Sequence, residues 1–382
     1  MKSVRIGIAG LGNMGSAHAR QILDGKIPRM ELAAVWDTAP AKMEPFSQVK
    51  HFSNSETMIR SGEIDAILIA TPHYSHTTIG IDALKSGLHV LVEKPISVHK
   101  ADCQKLIAAH KNRRQVFAAM FNQRTDPFYI KIREMVRGGE LGKIRRVSWT
   151  ITNWFRPDAY YASSDWRATW RGEGGGVLLN QCPHNLDLLQ WILGMPAKVR
   201  GFCCIGHYHK IEVEDDVTAW FEYPNGASGV FITSTGEAPG VNRLEIAGDL
   251  GRLVYENDAI RFTRNEIETS KFCRTSKEAF AAPATHEEAI SVESHGGQHN
   301  AILKNFADAI LDGAHLIAPA KEGIHSVELA NAILLSSFEQ KTIALPMNAN
   351  AYRKKLESLI KNSKFKKKTK KTAVTDLSKS FR

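Results

Sequence analysis

Short apolar runs alternate with amphipathic helical stretches along residues 1–122. This alternation predicts a doubly wound α/β domain, in which a parallel sheet carries helices on both faces. Glycines stand just past two of the helical stretches, where a left-handed backbone commonly ends a helix. The predicted strands are Val4–Ala9, Leu32–Trp36, Ala66–Ala70, His89–Glu93 and Val116–Ala119. The predicted helices are Ser16–Asp24, Thr77–Ser86 and Lys100–Lys111.

The pattern changes after residue 122. A helix is predicted up to Arg137, then several strands between residues 144 and 255, and finally helices near 297–312 and 323–338. Successive strands with few helices between them favour an open, mainly antiparallel sheet. We therefore predict an α+β domain over residues 123–348 and a C-terminal tail over residues 349–382.

The formal net charge of +10 belongs to that tail. Residues 351–382 contain 12 lysines and arginines and two acidic residues, so the rest of the chain is neutral. A neutral body lacks the basic patch of a nucleic-acid-binding protein. The lysine-rich run 364–371 is typical of a solvated chain end, with a polyanion contact as the alternative. We expect truncation after Asn348 to leave cofactor binding intact, unless the helically spaced apolar residues of the tail dock onto the body.

Neither membrane insertion nor disulfide bonding is indicated. No stretch approaches the roughly 20 apolar residues of a membrane span, and the chain starts without an apolar signal core. The five cysteines lack the spacing of a zinc site or a disulfide framework. We expect a cytoplasmic protein with reduced thiols.

A dinucleotide-binding motif follows the first predicted strand. Gly10-Leu11-Gly12-Asn13-Met14-Gly15 lies between that strand and a helix, which is the context that a GxGxxG match requires. The glycines permit a tight turn, close approach to a pyrophosphate and close helix packing. Asp37 follows Gly15 by 22 residues, where a carboxylate binds ribose hydroxyls and repels a 2′-phosphate. The sequence therefore predicts NAD rather than NADP.

Two further loops follow predicted strands of the same sheet, where open α/β sheets bind ligands. One contains Thr71, Pro72 and His76, and the other contains Glu93 and Lys94. We predict cofactor contacts from these residues, although ordinary turn chemistry is the alternative. Lys94 is also a catalytic candidate by position.

A polar stripe is predicted on a helix that begins near Asn180 and ends at Gly194. Asn180, His184 and Asp187 then share one face, at spacings of four and three residues. A helix N-terminus disfavours imidazolium, so His184 should be neutral and able to accept a proton from an alcohol. The alternative is a structural histidine. Since no second histidine or carboxylate stands at convincing ligand spacing, we predict no metal.

Aromatic residues are concentrated between residues 149 and 170, where they make up seven of 22 positions. Flat rings beside arginines suit the apolar faces and hydroxyl edges of a sugar. We predict substrate contacts from Trp154, Arg156 and Trp166, with packing of the domain core as the alternative for each ring.

With GLGNMG, TPHYSH, EKP and GGGVLLNQCPHNLD taken together, residues 3–348 resemble the Gfo/Idh/MocA family, named for glucose-fructose oxidoreductase and inositol dehydrogenase. The resemblance implies a Rossmann domain, a second α/β domain that often builds dimers or tetramers, and chemistry on a secondary hydroxyl of a sugar or cyclitol. It also implies that Lys94 lies near the nicotinamide, that His184 transfers the proton and that Asp187 reaches substrate hydroxyls.

One position departs from the family pattern: Asn180 stands where the D-x-x-x-H motif has aspartate. An amide orients a hydroxyl but cannot offset a positive charge as a carboxylate does. Either proton abstraction is weaker, or Asp187 supplies the missing charge.

The leading functional hypothesis is reversible NAD-dependent oxidation of a ring hydroxyl, with Lys94, His184 and Asn180 as the catalytic set. The alternatives are a glycoside-cleaving or epimerising enzyme that oxidises its substrate transiently with tightly held NAD, and a non-catalytic nucleotide-binding sensor. We expect a small carbohydrate or cyclitol as ligand, and a homodimer or homotetramer.

Overall fold

The first domain is built on a parallel sheet of six strands. The computed structural model describes residues 2–293 and 296–369. The strand order β3-β2-β1-β4-β5-β6 is that of a doubly wound dinucleotide-binding sheet, in which the order reverses between β1 and β4. The strands are Val4–Ala9 (β1), Met30–Trp36 (β2), Lys50–His51 (β3), Ala66–Ile69 (β4), His89–Val92 (β5) and Phe117–Ala119 (β6).

The predicted parallel sheet is confirmed, and all five predicted strands form. The sixth, β3, is a short exposed strand at the sheet edge and carries no apolar pattern that would reveal it. The helices of this domain are Asn13–Leu23 (α1), Ser55–Ile59 (α2), His73–Lys85 (α3) and Lys100–Ala109 (α4). Helices α1 and α3 begin earlier than predicted because polar or small residues in their first turns, Asn13, Gly15, His73 and Ser75, interrupt the apolar periodicity.

The second domain contains a nine-stranded sheet in the order β14-β13-β12-β11-β7-β10-β9-β8-β15. Strands β7 and β10 pair in parallel, and the other neighbours are antiparallel. The predicted mainly antiparallel sheet is therefore confirmed. The strands are Ile144–Ile151 (β7), Lys198–Ile205 (β8), Glu214–Glu222 (β9), Ser228–Ser234 (β10), Asn242–Gly248 (β11), Gly251–Glu256 (β12), Ala259–Asn265 (β13), Thr285–Ile290 (β14) and Ile343–Ala344 (β15).

Helices α5, α7 and α10 pack with this sheet into one apolar core. In the described part of the chain, no helix combines the length and apolar composition that a membrane crossing requires. The helices that follow the first domain are Pro127–Arg137 (α5), Asp158–Ala162 (α6), Pro183–Leu193 (α7), Thr269–Thr275 (α8), Gln298–Asp312 (α9), Gly323–Glu339 (α10) and Ala349–Asn362 (α11).

Helix α9 returns to the first domain. Leu303 and Phe306 are fully buried in the core of the parallel sheet, although the sequence assigns residues 123–348 to the second domain. The apolar stripe of a helix does not indicate which sheet the helix covers, so sequence pattern alone does not reveal this return.

Helix α11 corrects the expectation of a tail that begins at residue 349. Tyr352 is fully buried and Leu356 is nearly so, and both belong to the core of the second domain. The Tyr352 hydroxyl donates a 3.0 Å hydrogen bond to the carbonyl oxygen of Gly174. The tail therefore starts with a docked helix. The end of the lysine-rich run, from residue 370 onward, lies outside the described residues.

Candidate active site

The loop after β1 has the shape that a dinucleotide requires. Gly10 has a φ of +93°, and a Cβ there would lie 2.7 Å from the main chain of Ala70 at the end of β4. A Cβ on Gly15 would collide with the carbonyl oxygen of Gly10, so helix α1 can approach the strand only with glycine at this position. The loop thus lies at the point where the strand order reverses, the usual ligand crevice of such a sheet.

The same loop leaves space where a pyrophosphate would bind. A Cβ on Gly12 would meet no atom within 4 Å, and Gly12 directly precedes Asn13 and Met14 in the first turn of α1. The first NH groups of a helix have no partner within the helix and attract anions. Gly12, Asn13 and Met14 therefore fit the phosphates of NAD.

Asp37 lies directly after β2 and is fixed by the main chain. Its carboxylate accepts hydrogen bonds from the NH groups of Leu11 (2.7 Å) and Ala39 (2.8 Å). Lys42 Nζ lies 3.3 Å from the same carboxylate. The position of Asp37 fits the ribose contact predicted from the sequence. Lys42 lies beside the site of that contact.

Two strand-end loops meet at His76. His76 is buried, and its two ring nitrogens lie 2.8 Å from the carbonyl oxygens of Thr71 and Pro95. Burial lowers the pKa of His76, and a neutral ring donates from only one of these nitrogens. His76 therefore connects the two loops, and its contact with a cofactor stays a prediction. By contrast, the buried Thr71 hydroxyl has no hydrogen-bond partner among the described residues, and Pro72 caps α3 beside it. An orphaned hydroxyl at this crevice fits a bound ligand.

Glu93 anchors the loop that carries Lys94. Its carboxylate lies 2.7 Å from Nε2 of His18 on helix α1, and it is almost completely buried. Burial alone would raise the pKa of Glu93, but the hydrogen bond and charge of His18 lower it to about 2. Glu93 is therefore a fixed carboxylate that holds this loop against α1, and it also accepts a 3.2 Å hydrogen bond from the main-chain NH of Lys94.

Lys94 reaches across to the second domain. Its Nζ donates a 2.8 Å hydrogen bond to the main-chain carbonyl oxygen of Asn180. Burial lowers the pKa of Lys94 below its ordinary value, opposed by Glu93 and Glu173 and reinforced by two arginines. The side chain thus lies at the boundary of the two domains, beside two carboxylates that favour its protonated form.

The helix that carries His184 starts later than predicted, which changes the geometry of the polar stripe. Helix α7 begins at Pro183 with Cys182 as its N-cap, because a proline is tolerated in a first turn but not farther along a helix. Asn180 lies before the helix, in a turn where its NH bonds to the carbonyl oxygen of Gly176. Asn180 and His184 are therefore not on one helical face, and it is the main chain of Asn180 that binds Lys94.

His184 is buried at the N-terminus of α7. Burial, together with the charges of Lys94 and His299, lowers its pKa well below the ordinary histidine value. Its buried Nδ1 has no hydrogen-bond partner among the described residues. The ring is consequently a neutral imidazole, which is the form that accepts a proton.

Asp187 corrects the substrate-binding prediction. It is fully buried, and its two carboxylate oxygens accept 2.6 Å hydrogen bonds from Nε and Nη2 of Arg124. This bidentate pair satisfies the charge of Asp187 within the protein. Asp187 therefore neither reaches a substrate nor replaces the charge absent at position 180. No motif marks Arg124, which lies in a short turn before α5.

Glu173, which the sequence reasoning overlooked, brings a carboxylate to the site. It is only 2% exposed, and its Oε2 accepts a 2.6 Å hydrogen bond from the main-chain NH of Ala168. Its Oε1 contacts the Nδ2 amide nitrogen of Asn180. Burial raises the pKa of Glu173, and the charges of Arg167 and Lys94 oppose that rise. The sequence feature that could have indicated Glu173 is its position directly before Gly174-Gly175-Gly176.

Tyr160 joins the aromatic segment to Asn180. Its hydroxyl accepts a 2.6 Å hydrogen bond from Arg167 and donates a 3.2 Å bond to Oδ1 of Asn180. Arg156 lies over the same ring at 5.2 Å. Trp166 contacts Arg167 at 4.8 Å and is partly exposed. Arg156 and Trp166 are thus brought close to the residues around Lys94.

Trp154 does not act as the sequence predicts. It is 9% exposed and belongs to the core of the second domain, and its indole NH donates a 3.3 Å bond to Asn185. A ring with so little exposed surface packs in the core and does not form part of a substrate-binding surface.

One group of possible metal ligands occurs at the hairpin between β8 and β9. The ligand atoms of Cys204, His207 and Asp216 lie within 4.8 Å of one another, with two side chains exposed and one half-exposed. The sequence predicts no metal, and we assign no ion to this group.

The chain matches two models of one protein family. Residues 4–121 match the oxidoreductase family with an NAD-binding Rossmann fold, and residues 129–254 match the GFO/IDH/MocA C-terminal domain. Among sequence relatives, inositol 2-dehydrogenase of Rhizobium meliloti is 22% identical over 90% of this chain and 99% of its own length. Myo-inositol 2-dehydrogenase of Thermotoga maritima is 26% identical over 66% of this chain and 75% of its own length.

Solved structures share the fold. The WlbA dehydrogenase of Bordetella pertussis, in complex with NADH and UDP-GlcNAcA, superposes with a TM-score of 0.76 at 23% identity, covering 91% of this chain and all of that one. Levoglucosan dehydrogenase, in complex with NADH and levoglucosan, gives 0.75 at 18% identity, covering 90% of this chain and all of that one. With both domains matched, the chain belongs to the GFO/IDH/MocA oxidoreductases, and its cofactor is NAD.

Proposed function

We propose that the protein oxidises a secondary ring hydroxyl of a sugar, cyclitol or glycoside with NAD, as the sequence analysis predicts. The observation that carries this proposal is the hydrogen bond from Lys94 Nζ to the carbonyl oxygen of Asn180. It joins the end of a Rossmann strand to the segment that leads into His184. An ammonium and a neutral imidazole therefore adjoin the carboxyl edge of the sheet, where the nicotinamide of an NAD enzyme is expected.

The two side chains have complementary roles. Neutral His184 accepts the hydroxyl proton, because its lowered pKa keeps it unprotonated at neutral pH. The Lys94 ammonium stabilises the negative charge that develops on the substrate oxygen. When bound, NAD supplies the hydride acceptor. The carboxylates of Glu93 and Glu173 oppose the lowering of the Lys94 pKa by burial and so favour its protonated form.

Side chains around this pair suit a polyhydroxylated ring. Tyr160, Arg156 and Trp166 combine flat rings with hydrogen-bond donors, as expected for carbohydrate binding. The names of the relatives, inositol 2-dehydrogenase and levoglucosan dehydrogenase, support a cyclitol or sugar as the ligand.

We also propose a homodimer or homotetramer, as the sequence analysis predicts. On strand β8 and the hairpin that follows it, Phe202 and Tyr208 are 54% and 53% exposed, and Ile205 is 40% exposed. Large apolar side chains at one end of a sheet are typical of a surface that another subunit covers.

The experiment is an activity screen of the purified protein with added NAD across inositols, monosaccharides and glycosides. The near-ultraviolet absorbance of NADH is the readout, and a reaction without sugar is the control. The proposal predicts sugar-dependent NADH formation with at least one compound. Retention of NAD through purification, with substrate turnover but no net NADH, would instead indicate transient oxidation. Absence of any turnover would favour the nucleotide-binding sensor.

A further inference from the structure

Asn180 stands where the family motif has aspartate, and the structure places a different carboxylate against it. We propose that Glu173 supplies the missing carboxylate, acting through Asn180 as a positioning residue that sets the orientation of Asn180 and the charge of Lys94. The proposal rests on the proposed function for its catalytic meaning, while the charge coupling itself is measurable without a substrate.

Three neighbours fix Asn180. Its main-chain oxygen accepts from Lys94 Nζ at 2.8 Å, and its side-chain Oδ1 accepts from the Tyr160 hydroxyl at 3.2 Å. Its Nδ2 faces Oε1 of Glu173. An ionised carboxylate only accepts hydrogen bonds, so Glu173 requires the NH₂ end of the amide to face it. The amide oxygen is thereby directed toward Tyr160.

Glu173 is itself held in place on every side. Its Oε2 accepts from the NH of Ala168, and its carbonyl oxygen lies 3.1 Å from Nδ1 of His73. The next residue, Gly174, has a φ of +81° and accepts the Tyr352 hydroxyl bond. The carboxylate therefore has a fixed position relative to the segment that carries Asn180.

The hydrogen-bond partners of this buried carboxylate are neutral amide groups. A buried ionised group usually requires a charged partner or a functional reason. The cations that interact with Glu173 are Arg167, Lys94 and Lys367, and Lys367 Nζ donates to the carbonyl oxygen of Arg167. Arg167 already donates to Tyr160. Lys94 binds the main chain of the same Asn180 whose side chain contacts Glu173, and Glu173 favours its charged form. The aspartate of the family motif would offer a carboxylate from the same segment.

The arrangement also explains why asparagine suits position 180 in this chain. An aspartate there would place two carboxylates in contact, and such a pair shares one proton. Asn180→Asp alone would then add little negative charge near Lys94. The sequence analysis leaves Asp187 as the source of the missing charge, but that carboxylate is bound to Arg124.

The test compares wild-type protein with Glu173→Gln, Asn180→Asp and the double swap Glu173→Gln/Asn180→Asp. The pKa of Lys94 is measured by NMR titration of protein that carries lysine labelled at its terminal carbon, with Lys94→Arg used to assign the signal. Glu173→Gln preserves size and can still accept from Ala168. It should lower the pKa of Lys94 by roughly one unit, since an opposite charge at this range contributes on that scale. The double swap should restore that pKa.

Two further variants keep the result interpretable. Glu173→Asp keeps the negative charge but moves it away from Asn180, because its side chain is one methylene shorter. If Glu173→Gln fails to fold, Glu173→Asp should still lower the pKa of Lys94, by a smaller amount. Glu212→Gln removes a half-buried carboxylate that accepts from the NH of Trp170, and should leave the pKa of Lys94 unchanged. A Lys94 pKa that is unchanged in Glu173→Gln and Glu173→Asp, or that stays low in the double swap, overturns the proposal.

Activity gives the second readout. On a compound that the wild type oxidises, the alkaline limb of the pH profile of kcat should move to lower pH in Glu173→Gln and return in the double swap. Because the NMR titration needs no substrate, a failed sugar screen would count against the proposed function and not against the coupling of Glu173 to Lys94.

Discussion

Lys94 and Asn180 are 86 residues apart in the chain, and a 2.8 Å hydrogen bond joins the side chain of one to the main chain of the other. The donor belongs to the loop after the fifth strand of the parallel sheet, and the acceptor to the turn before helix α7. The relative position of the two domains therefore decides where the ammonium lies. Any change that opens the boundary between them should separate Lys94 from the segment that carries His184.

Asp37 should determine the choice between NAD and NADP. Its carboxylate repels a 2′-phosphate, while Lys42, 3.3 Å away, would attract one if the carboxylate were removed. We therefore expect Asp37→Ala to raise kcat/KM with NADP and lower it with NAD. The check is steady-state kinetics with both cofactors at a fixed sugar concentration.

The matched control is Asp37→Ala/Lys42→Ala, which should lose part of the gain with NADP. A wild type that uses both cofactors with equal efficiency would contradict this account of Asp37.

Helix α11 should stabilise the body, in contrast to the dispensable tail that the sequence predicts. Tyr352 and Leu356 are buried in the second core, and burial of such side chains contributes about 1.5–3 kcal/mol each. Truncation after Asn348 should lower the thermal midpoint of unfolding by several degrees or yield insoluble protein. Truncation after Thr369 removes the rest of the basic run and should change the midpoint little. Equal midpoints for the two truncated proteins would show that α11 contributes nothing.

Both the acid limb and the alkaline limb of the pH profile of kcat/KM should lie at lower pH than the ordinary pKa values of histidine and lysine would give. His184 must be neutral to accept a proton, and burial lowers its pKa well below 6.5, so activity should persist as the pH falls through the ordinary histidine range. Lys94 must be charged, and burial lowers its pKa from 10.5, so the alkaline loss should begin below the ordinary lysine value. The measurement is kcat/KM against pH with saturating NAD. An acid limb at or above the ordinary histidine pKa would contradict a neutral, buried His184.

Local patterns in the sequence were sufficient for the five buried strands and the dinucleotide loop of the first domain. The strand of Val4–Ala9, the glycines after it and Asp37 at the end of the second strand depend on neighbouring residues, and each has a recognisable chain signature. The resemblance to known motifs strengthened Lys94 and His184, which position alone had made candidates. The structure bonds Lys94 to the main chain of Asn180, in the turn that leads into the helix of His184.

Long-range contacts account for what the sequence did not predict. Asp187 lies on α7 as a polar residue, but its partner Arg124 is 63 positions away and carries no motif. Glu173 lies outside helix α7. It contacts the site only because the turn before α7 brings the side chain of Asn180 against it. The destination of α9 and the docking of Tyr352 likewise depend on which surfaces the folded domains leave open.

The central claim, that Lys94 and His184 carry the proton chemistry of an NAD-dependent dehydrogenase, is tested most directly by the kcat of Lys94→Ala and His184→Ala. Each variant should bind NAD within a few-fold of the wild type and lose roughly 10²-fold or more in kcat, the usual effect of removing a general acid or base. The exposed Lys105, which pairs with Asp102 on the surface of α4, provides the control Lys105→Ala, which should match the wild type. Near-normal turnover by His184→Ala or Lys94→Ala, on a sugar that the wild type oxidises, would contradict the account.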